Sequence, residues 1–155
     1  MIVRPVESKD IETISLLEKE LYDNPWNKED FLNEGNRFTY FFVLEEKDVL
    51  LGYYGVWIVS DYATILRVTV RKELQNKGLG KILMEDMLNR CVKMDVATID
   101  LEVRISNQVA IALYHHFEFK DAGIRSNYYA DGEDARLMFK QLKGSVNYEK
   151  VHVGN

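Results

Sequence analysis

The sequence predicts an α/β domain built on a mixed sheet, with the element order βααβββαβαββ, and three observations carry that reading. Ala97, Ile99, Leu101 and Val103 alternate with Thr98, Asp100 and Glu102, the period of a strand with one apolar and one polar face. Leu79, Leu83, Met87 and Cys91 recur at steps of four with Ile82 alongside, the period of an amphipathic helix. Runs rich in aromatic and β-branched residues are interleaved with such helical patterns along the chain, as expected where helices cover a sheet. At 155 residues the chain has the size of one domain. That domain is expected to span 1–143, with 144–155 as a short, polar, glycine-bounded C-terminal appendage.

The elements follow in order. "IVRP" suits a short strand ending at Pro5, and Ser8 is expected to cap a helix whose Ile11, Ile14, Leu17 and Leu21 share a face. Asn24-Pro25 breaks that helix; Asn27, followed by Glu29 and Asp30, then opens a second, short one. "RFTYFFVLEE" and "VLLGYYGVWIVS" form a hairpin across "EKD", and "YATILRVTV" is the next strand, Tyr62 to Val70. The helix carrying Leu79 to Cys91 ends before Asp95, and the alternating strand follows. "SNQVAIALYHHFEF" reads as a helix capped by Asn107, with Val109, Leu113 and Phe117 on one stripe and Ala110 and Tyr114 on the adjacent one. Two last strands, Phe119 to Arg125 and Ala135 to Leu142, flank an "ADG" turn.

Composition narrows the functional classes. A net charge of −5 disfavours a nucleic-acid binder that relies on a basic surface. The uncharged, apolar run Val49 to Ser60 is far short of the ~20 residues that span a bilayer, so no membrane partner is expected. "MIVRPVESKDIETI" lacks the apolar core of a secretory signal, and a lone cysteine, Cys91, fits a reducing cytoplasm, which is the expected location. Cys91 sits mid-helix on the apolar stripe and is a poor nucleophile there, while His115 and His116, adjacent on a helix, splay apart. No metal is implied.

The chemistry gathers where the strand "VTV" gives way to a helix through "RKELQNKGLGK". A P-loop would need Gly at Gln75 and Ser or Thr at Ile82, and a dinucleotide fingerprint would need a third glycine at Leu83, so both readings fail. What remains is Gln75-x-x-Gly78-x-Gly80. The N–H groups of a first helical turn and the positive end of the helix dipole favour a diphosphate, with Lys77 and Lys81 adding charge. Taken alone, the two glycines could equally serve only close strand-to-helix packing.

This span resembles the GNAT superfamily of acetyl-CoA-dependent N-acetyltransferases, whose loop is Gln/Arg-x-x-Gly-x-Gly/Ala and whose element order is the same. "LEVRISNQVAIALYHHFEF", "RSNYYADGEDARLMF" and the "NPW" at Asn24 to Trp26 are similar to the bacterial ribosomal-protein-alanine N-acetyltransferases, the RimI type. Coverage runs from about Ile2 to Leu142. The resemblance implies the GNAT acyl-CoA N-acyltransferase fold, acetyl-CoA as cosubstrate, and the N-terminal amine of a small-subunit ribosomal protein as acceptor. It implies that the backbone of Val68, Thr69 and Val70 holds the pantetheine arm. Gln75, Asn76, Lys77, Gly78, Leu79, Gly80 and Lys81 hold the pyrophosphate, and Asn107 adds a contact to coenzyme A.

The chemistry supplies a test of the roles. An α-amine of pKa about 7.7 to 8.0 is mostly protonated at neutral pH and cannot attack a thioester without a base. Glu102 stands near the end of the alternating strand on its polar face, and the resemblance makes it that base. A departing thiolate leaves more readily when given a proton, and a phenol, with a reference pKa of about 10, still carries one near neutrality. The resemblance assigns that part to Tyr114; read from the residues alone, Glu102 could be a salt-bridged carboxylate and Tyr114 a core residue.

Asp23, Glu29, Asp30 and Glu34 make the early helical region acidic, which suits a cationic protein terminus, and Tyr128 and Tyr129 could shape its groove. Three residues depart from the family pattern: Arg67 where Asn is frequent, Asn76 where Arg is common, and Glu118 in place of a usual Gly. They bear on peptide choice and coenzyme affinity. Two other readings stay open at this point, a GNAT enzyme for a lysine side chain or a small amine, and a noncatalytic acyl-CoA-binding module.

Overall fold

The computed structural model describes residues 1–32 and 37–143, so Glu34 and the expected appendage 144–155 lie outside the described residues. The elements are β1 (Ile2–Pro5), a 3-10 turn (Ser8–Asp10), α1 (Ile11–Leu21), α2 (Lys28–Leu32), β2 (Thr39–Glu46), β3 (Val49–Val59), β4 (Tyr62–Val70), a second 3-10 turn (Lys72–Leu74), α3 (Leu79–Lys93), β5 (Thr98–Arg104), α4 (Gln108–His116), β6 (Lys120–Arg125) and β7 (Ala135–Gln141). The α-helices and strands follow the predicted order. Seven strands form one sheet in the order β1-β2-β3-β4-β5-β7-β6. β5 pairs parallel to β4 and antiparallel to β7, which lies between β5 and β6.

The chain divides into two compact units: Met1–Trp57 with Leu66–Leu88, and Ile58–Ile65 with the chain from Asn89. In the first, α1 turns Ile14 and Leu17 onto Val43, Leu50 and Tyr53, with Val6 and Phe31 packed against them. The hairpin forms where predicted: Glu46 pairs with Val49, leaving Lys47 and Asp48, both at positive φ, as a two-residue turn whose twist matches the strands it joins. Gly55 lets the rings of Phe41 and Trp26 lie against β3, because a Cβ there would stand about 3.0 to 3.3 Å from them.

One start signal differs from the expectation. Ser8 does not cap α1; it begins the 3-10 turn, and the turn is closed by Asp10, whose carboxylate accepts the Glu7 N–H at 2.8 Å. Asp10 is buried and takes a two-pronged, charge-assisted bond from Arg4 at 2.8 and 2.9 Å, which fixes the turn ahead of α1. Arg4 holds the Asp10 carboxyl below its usual range. At α2, Asn27 and Asp30 exchange backbone-to-side-chain bonds at 2.7 and 3.1 Å, a reciprocal cap.

In the second unit, β5 buries Ile99, Leu101 and Val103 and leaves Thr98, Asp100, Glu102 and Arg104 half-buried on the other face, as its alternation predicts. On α4 the expected stripe is displaced. Val109 is 70% exposed, and the buried residues are Ile111 and Tyr114. The C-terminus of the helix explains this, because the Phe119 N–H returns to the Tyr114 carbonyl at 3.0 Å and the Glu118 N–H to that of His115 at 2.9 Å. These bonds define a Schellman ending whose apolar contact is the Tyr114 ring on Phe119, 5.8 Å between centres.

That ending puts Glu118 at φ +67, a left-handed position glycine occupies without strain. The αL conformation costs a non-glycine residue about 1–2 kcal/mol, offset in part by the greater unfolded-state entropy of glycine. Glu118→Gly is therefore expected to stabilise the protein by about 0.5–1 kcal/mol. In thermal melting this should read as a rise of roughly 1–4 °C; a fall would contradict the strain.

Candidate active site

The expected site residues fall in both units: Val68–Val70 and Gln75–Lys81 in the first, Glu102, Asn107 and Tyr114 in the second. In the first, β4 runs to Val70 and the chain turns through Lys72–Leu74 before α3 begins at Leu79. Gln75 spans the turn, its side-chain amide donating to the Val70 carbonyl at 3.1 Å. Asn76 and Gly78 both take positive φ, +64 and +84, and a Cβ on Gly78 would meet nothing within 4 Å. Asparagine tolerates αL better than the arginine expected there, so this departure keeps the loop's bend.

The Ile82 N–H bonds the Gly78 carbonyl at 3.4 Å. The N–H groups of Leu79, Gly80 and Lys81 come before it and have no acceptor within the helix, as at any helix start. With exposed Lys77 and Lys81 beside them, they form a donor set of the right chemistry for a diphosphate. Asn76, Lys77 and Gly78 are exposed, so an anion can reach the loop from solvent.

The strand leading in is held from two sides. Thr69 is buried, and its hydroxyl meets that of Tyr22 at 2.6 Å. Its carbonyl passes over Gly52, where a Cβ would stand only 2.5 Å away. The β4–β5 ladder runs from Tyr62↔Thr98 to Ile65↔Leu101 and includes none of Val68, Thr69 and Val70.

In the second unit Glu102 lies opposite Leu137 of β7, its side chain 30% exposed. Arg125 Nη2 stands 3.6 Å from its Oε1, and the Tyr128 hydroxyl donates to the carboxylate, a bond that, more than burial, lifts the Tyr128 phenol above its usual range. Asn107 caps α4 as predicted, its side-chain oxygen accepting the Ala110 N–H at 3.1 Å. Tyr114 is buried on that helix, its ring fixed against Phe119.

Sequence reasoning missed a lock made by Arg104. Its Nη1 donates to Asp131 at 2.9 Å and to Glu133 at 2.9 Å, and its guanidinium lies 4.1 Å from the centre of the Tyr129 ring. The Ser106 N–H adds a bond to Glu133 at 2.9 Å, and Ser106 before Arg104 holds the Glu133 carboxyl below its usual range. "LEVR.SN" and "NYY..G.DA" are thus physically one device, in which the end of β5 grips the loop bearing both tyrosines. Their joint occurrence was the signal available in the sequence. The acidic residues Asp23, Glu29 and Asp30 are all exposed.

Cys91 is buried, and burial pushes its thiol up to about 11, which keeps it protonated and unreactive near neutrality. His115 pairs with Asp121 at 3.3 Å rather than with His116. Among the described residues no group of three or more His, Cys, Asp or Glu is placed to hold a metal ion, and no helix is long and apolar enough to cross a membrane.

Known proteins share the family and the fold. The model of the GNAT acetyltransferase family matches residues 9–119. The ribosomal protein bS18-alanine N-acetyltransferase of Escherichia coli (strain K12) is 36% identical over 140 residues, which is 88% of this chain and 94% of that protein. A Bacillus subtilis (strain 168) protein provisionally given the same name is 36% identical over 140 residues, 88% of this chain and 93% of its own. The crystal structure of the ribosomal-protein-S18-alanine N-acetyltransferase from Escherichia coli superposes with a TM-score of 0.83 at 32% identity, covering 92% of this chain and 94% of that one. With the fold matched over nearly its whole length and the family model over most of it, the chain belongs to the GNAT acetyltransferase family.

Proposed function

We propose that the chain transfers the acetyl group of acetyl-CoA to the N-terminal α-amine of a protein in the cytoplasm, the favoured acceptor being the N-terminal alanine of a small-subunit ribosomal protein, and that residues 1–143 act as one N-acetyltransferase domain. The observation that carries the reading is the near-full-length match to the bS18-alanine N-acetyltransferase of Escherichia coli, 94% of whose length is covered. The lock between Arg104, Asp131 and Glu133 supports it, because it ties together the two motifs on which the resemblance to that group rested.

Acetyl-CoA supplies the activated acyl group as a thioester. The N–H groups at the start of α3, with Lys77 and Lys81, hold its diphosphate. Val68, Thr69 and Val70 receive the pantetheine arm along their backbone, and Asn107 adds a contact. Glu102 takes a proton from the α-ammonium, directly or through one water, and frees the nitrogen lone pair for attack on the acyl carbon. Tyr128 and Arg125 keep its carboxylate oriented. The C–N bond forms at the acyl carbon and the second ammonium proton passes to solvent; as the carbonyl re-forms, the C–S bond breaks and Tyr114 donates a proton to the sulfur, regaining one from solvent. Attack is direct, with no acetyl-cysteine stage, because Cys91 is buried and protonated.

The test is an intact-mass assay with acetyl-CoA and peptides matching ribosomal-protein N-termini. A single acetyl group is expected on peptides with a free α-amine and none on peptides whose N-terminus is blocked. Acetylation of blocked peptides at lysine, or of small amines alone, would replace this reading by the other enzymatic one. Binding of acetyl-CoA without transfer to any amine would leave a noncatalytic module.

A further inference from the structure

We propose that Arg67, seated on the buried carboxylate of Glu18, is a positioning residue that shapes the acceptor side of the site by fixing the segment Tyr22–Asn27; this rests on the acetyl-transfer reading above. That segment joins α1 to α2 and contains Pro25. Its form is set by one guanidinium. Arg67 Nη2 donates to the Asn24 carbonyl at 2.8 Å, and Cζ lies 3.9 Å from the centre of the Tyr22 ring and 4.5 Å from that of Trp26. Glu18, fully buried on α1, receives Arg67 Nη2 at 3.0 Å, the Trp26 N–H at 2.9 Å and the Tyr53 hydroxyl.

A buried ion pair is poor evidence of stability, since a well-packed apolar pair of the same volume commonly does as well. What this pair does supply is direction. A guanidinium is planar and offers a fork of donors, so it can hold a carboxylate, a carbonyl and two ring faces at fixed angles. The asparagine frequent at this position in the family is too short to reach all four. The segment is therefore fixed by a side chain of β4, two residues before Thr69, and Tyr22 closes the link through its hydroxyl bond to Thr69. Thr69 lies in the stretch assigned to the thioester arm, so Asp23, Asn24 and Pro25, all exposed, flank the acyl group's path. A protein N-terminus, with its α-ammonium, is the acceptor that an exposed rim carrying the Asp23 carboxylate would take.

The experiment compares acetyl transfer to an N-terminal alanine peptide by the wild type, Arg67→Lys, and the double variant Glu18→Gln with Arg67→Asn. Arg67→Lys keeps a cation for Glu18 but loses the fork and the planar stack; the double variant leaves no buried charge without a partner. Both are expected to raise the peptide KM at least about tenfold, with kcat changed less, while the acetyl-CoA Kd by calorimetry stays within about twofold and the protein melts cooperatively. An unchanged peptide KM in both overturns the proposal, as does an acetyl-CoA Kd that weakens in step with the peptide KM, since Arg67 would then be serving the strand. A wild type that binds acetyl-CoA and acetylates no amine overturns the enzymatic reading, and the positioning role with it.

Discussion

Replacing Glu102 by glutamine is expected to lower turnover by about 10²- to 10⁴-fold, the usual contribution of a positioned general base. The substitution is nearly isosteric, and the amide oxygen can still accept the Tyr128 hydroxyl. The lost ion pair to Arg125 joins side chains 56% and 30% exposed, so it contributes at most about 1 kcal/mol to stability. Melting temperature and acetyl-CoA affinity should thus change little, and the loss will be chemical. The pH profile gives a second readout. Without the base, only the neutral amine reacts, and its fraction grows as pH rises toward about 8, the reference value for an α-amine. The ratio of wild-type to variant rates should therefore shrink as pH rises; a ratio independent of pH would remove Glu102 from the proton transfer. Tyr114→Phe keeps the ring on Phe119 and removes only the hydroxyl, with an expected loss near the low end of the same range, on the order of 10², because a thiolate leaves tolerably well unaided. Full activity in both variants would sink the role assignments.

Gly52→Ala should be the most damaging small-to-large change on β3. Its Cβ would meet the Thr69 carbonyl at 2.5 Å, Leu83 Cδ1 at 3.3 Å and Val70 Cα at 3.3 Å. Two of these atoms are backbone, so β4 itself must move, at a cost of about 1–3 kcal/mol. The displaced stretch is the one proposed to hold the pantetheine arm, so the acetyl-CoA Kd should rise together with a fall in melting temperature of roughly 2–4 °C per kcal/mol. Gly55→Ala is the internal comparison. Its Cβ would press on the rings of Phe41 and Trp26, side chains that can shift, so acetyl-CoA affinity should be kept. Equal loss of affinity in both would separate the acetyl-CoA arm from Thr69.

The element order was legible because it is written in short-range periodicity. The steps of four from Leu79 to Cys91 all turn out buried, and the alternation through β5 sorts its faces correctly, since both patterns depend only on the chain's own geometry. The loop Gln75–Lys81 could be read for the same reason: a strand, a bend and a helix start are consecutive in the chain. Where a local signal met a distant partner, the partner won. Ser8 begins a 3-10 turn closed by Asp10, which Arg4 also holds, and on α4 Ile111 is buried where Val109 was expected to be, while Tyr114, from the adjacent stripe, packs on Phe119.

The sequence by itself determined the order of elements, the strand–bend–helix run of Gln75–Lys81 and, by resemblance, the residues assigned to proton transfer. Only the tertiary structure decided that β7 lies between β5 and β6, that Arg67 finds Glu18 across 49 residues, and that Arg104 grips Glu133 across 29. The reason is physical. A buried or half-buried charge must find its counter-charge wherever the fold brings one, and no periodicity along the chain encodes which of twenty-five carboxylates that will be.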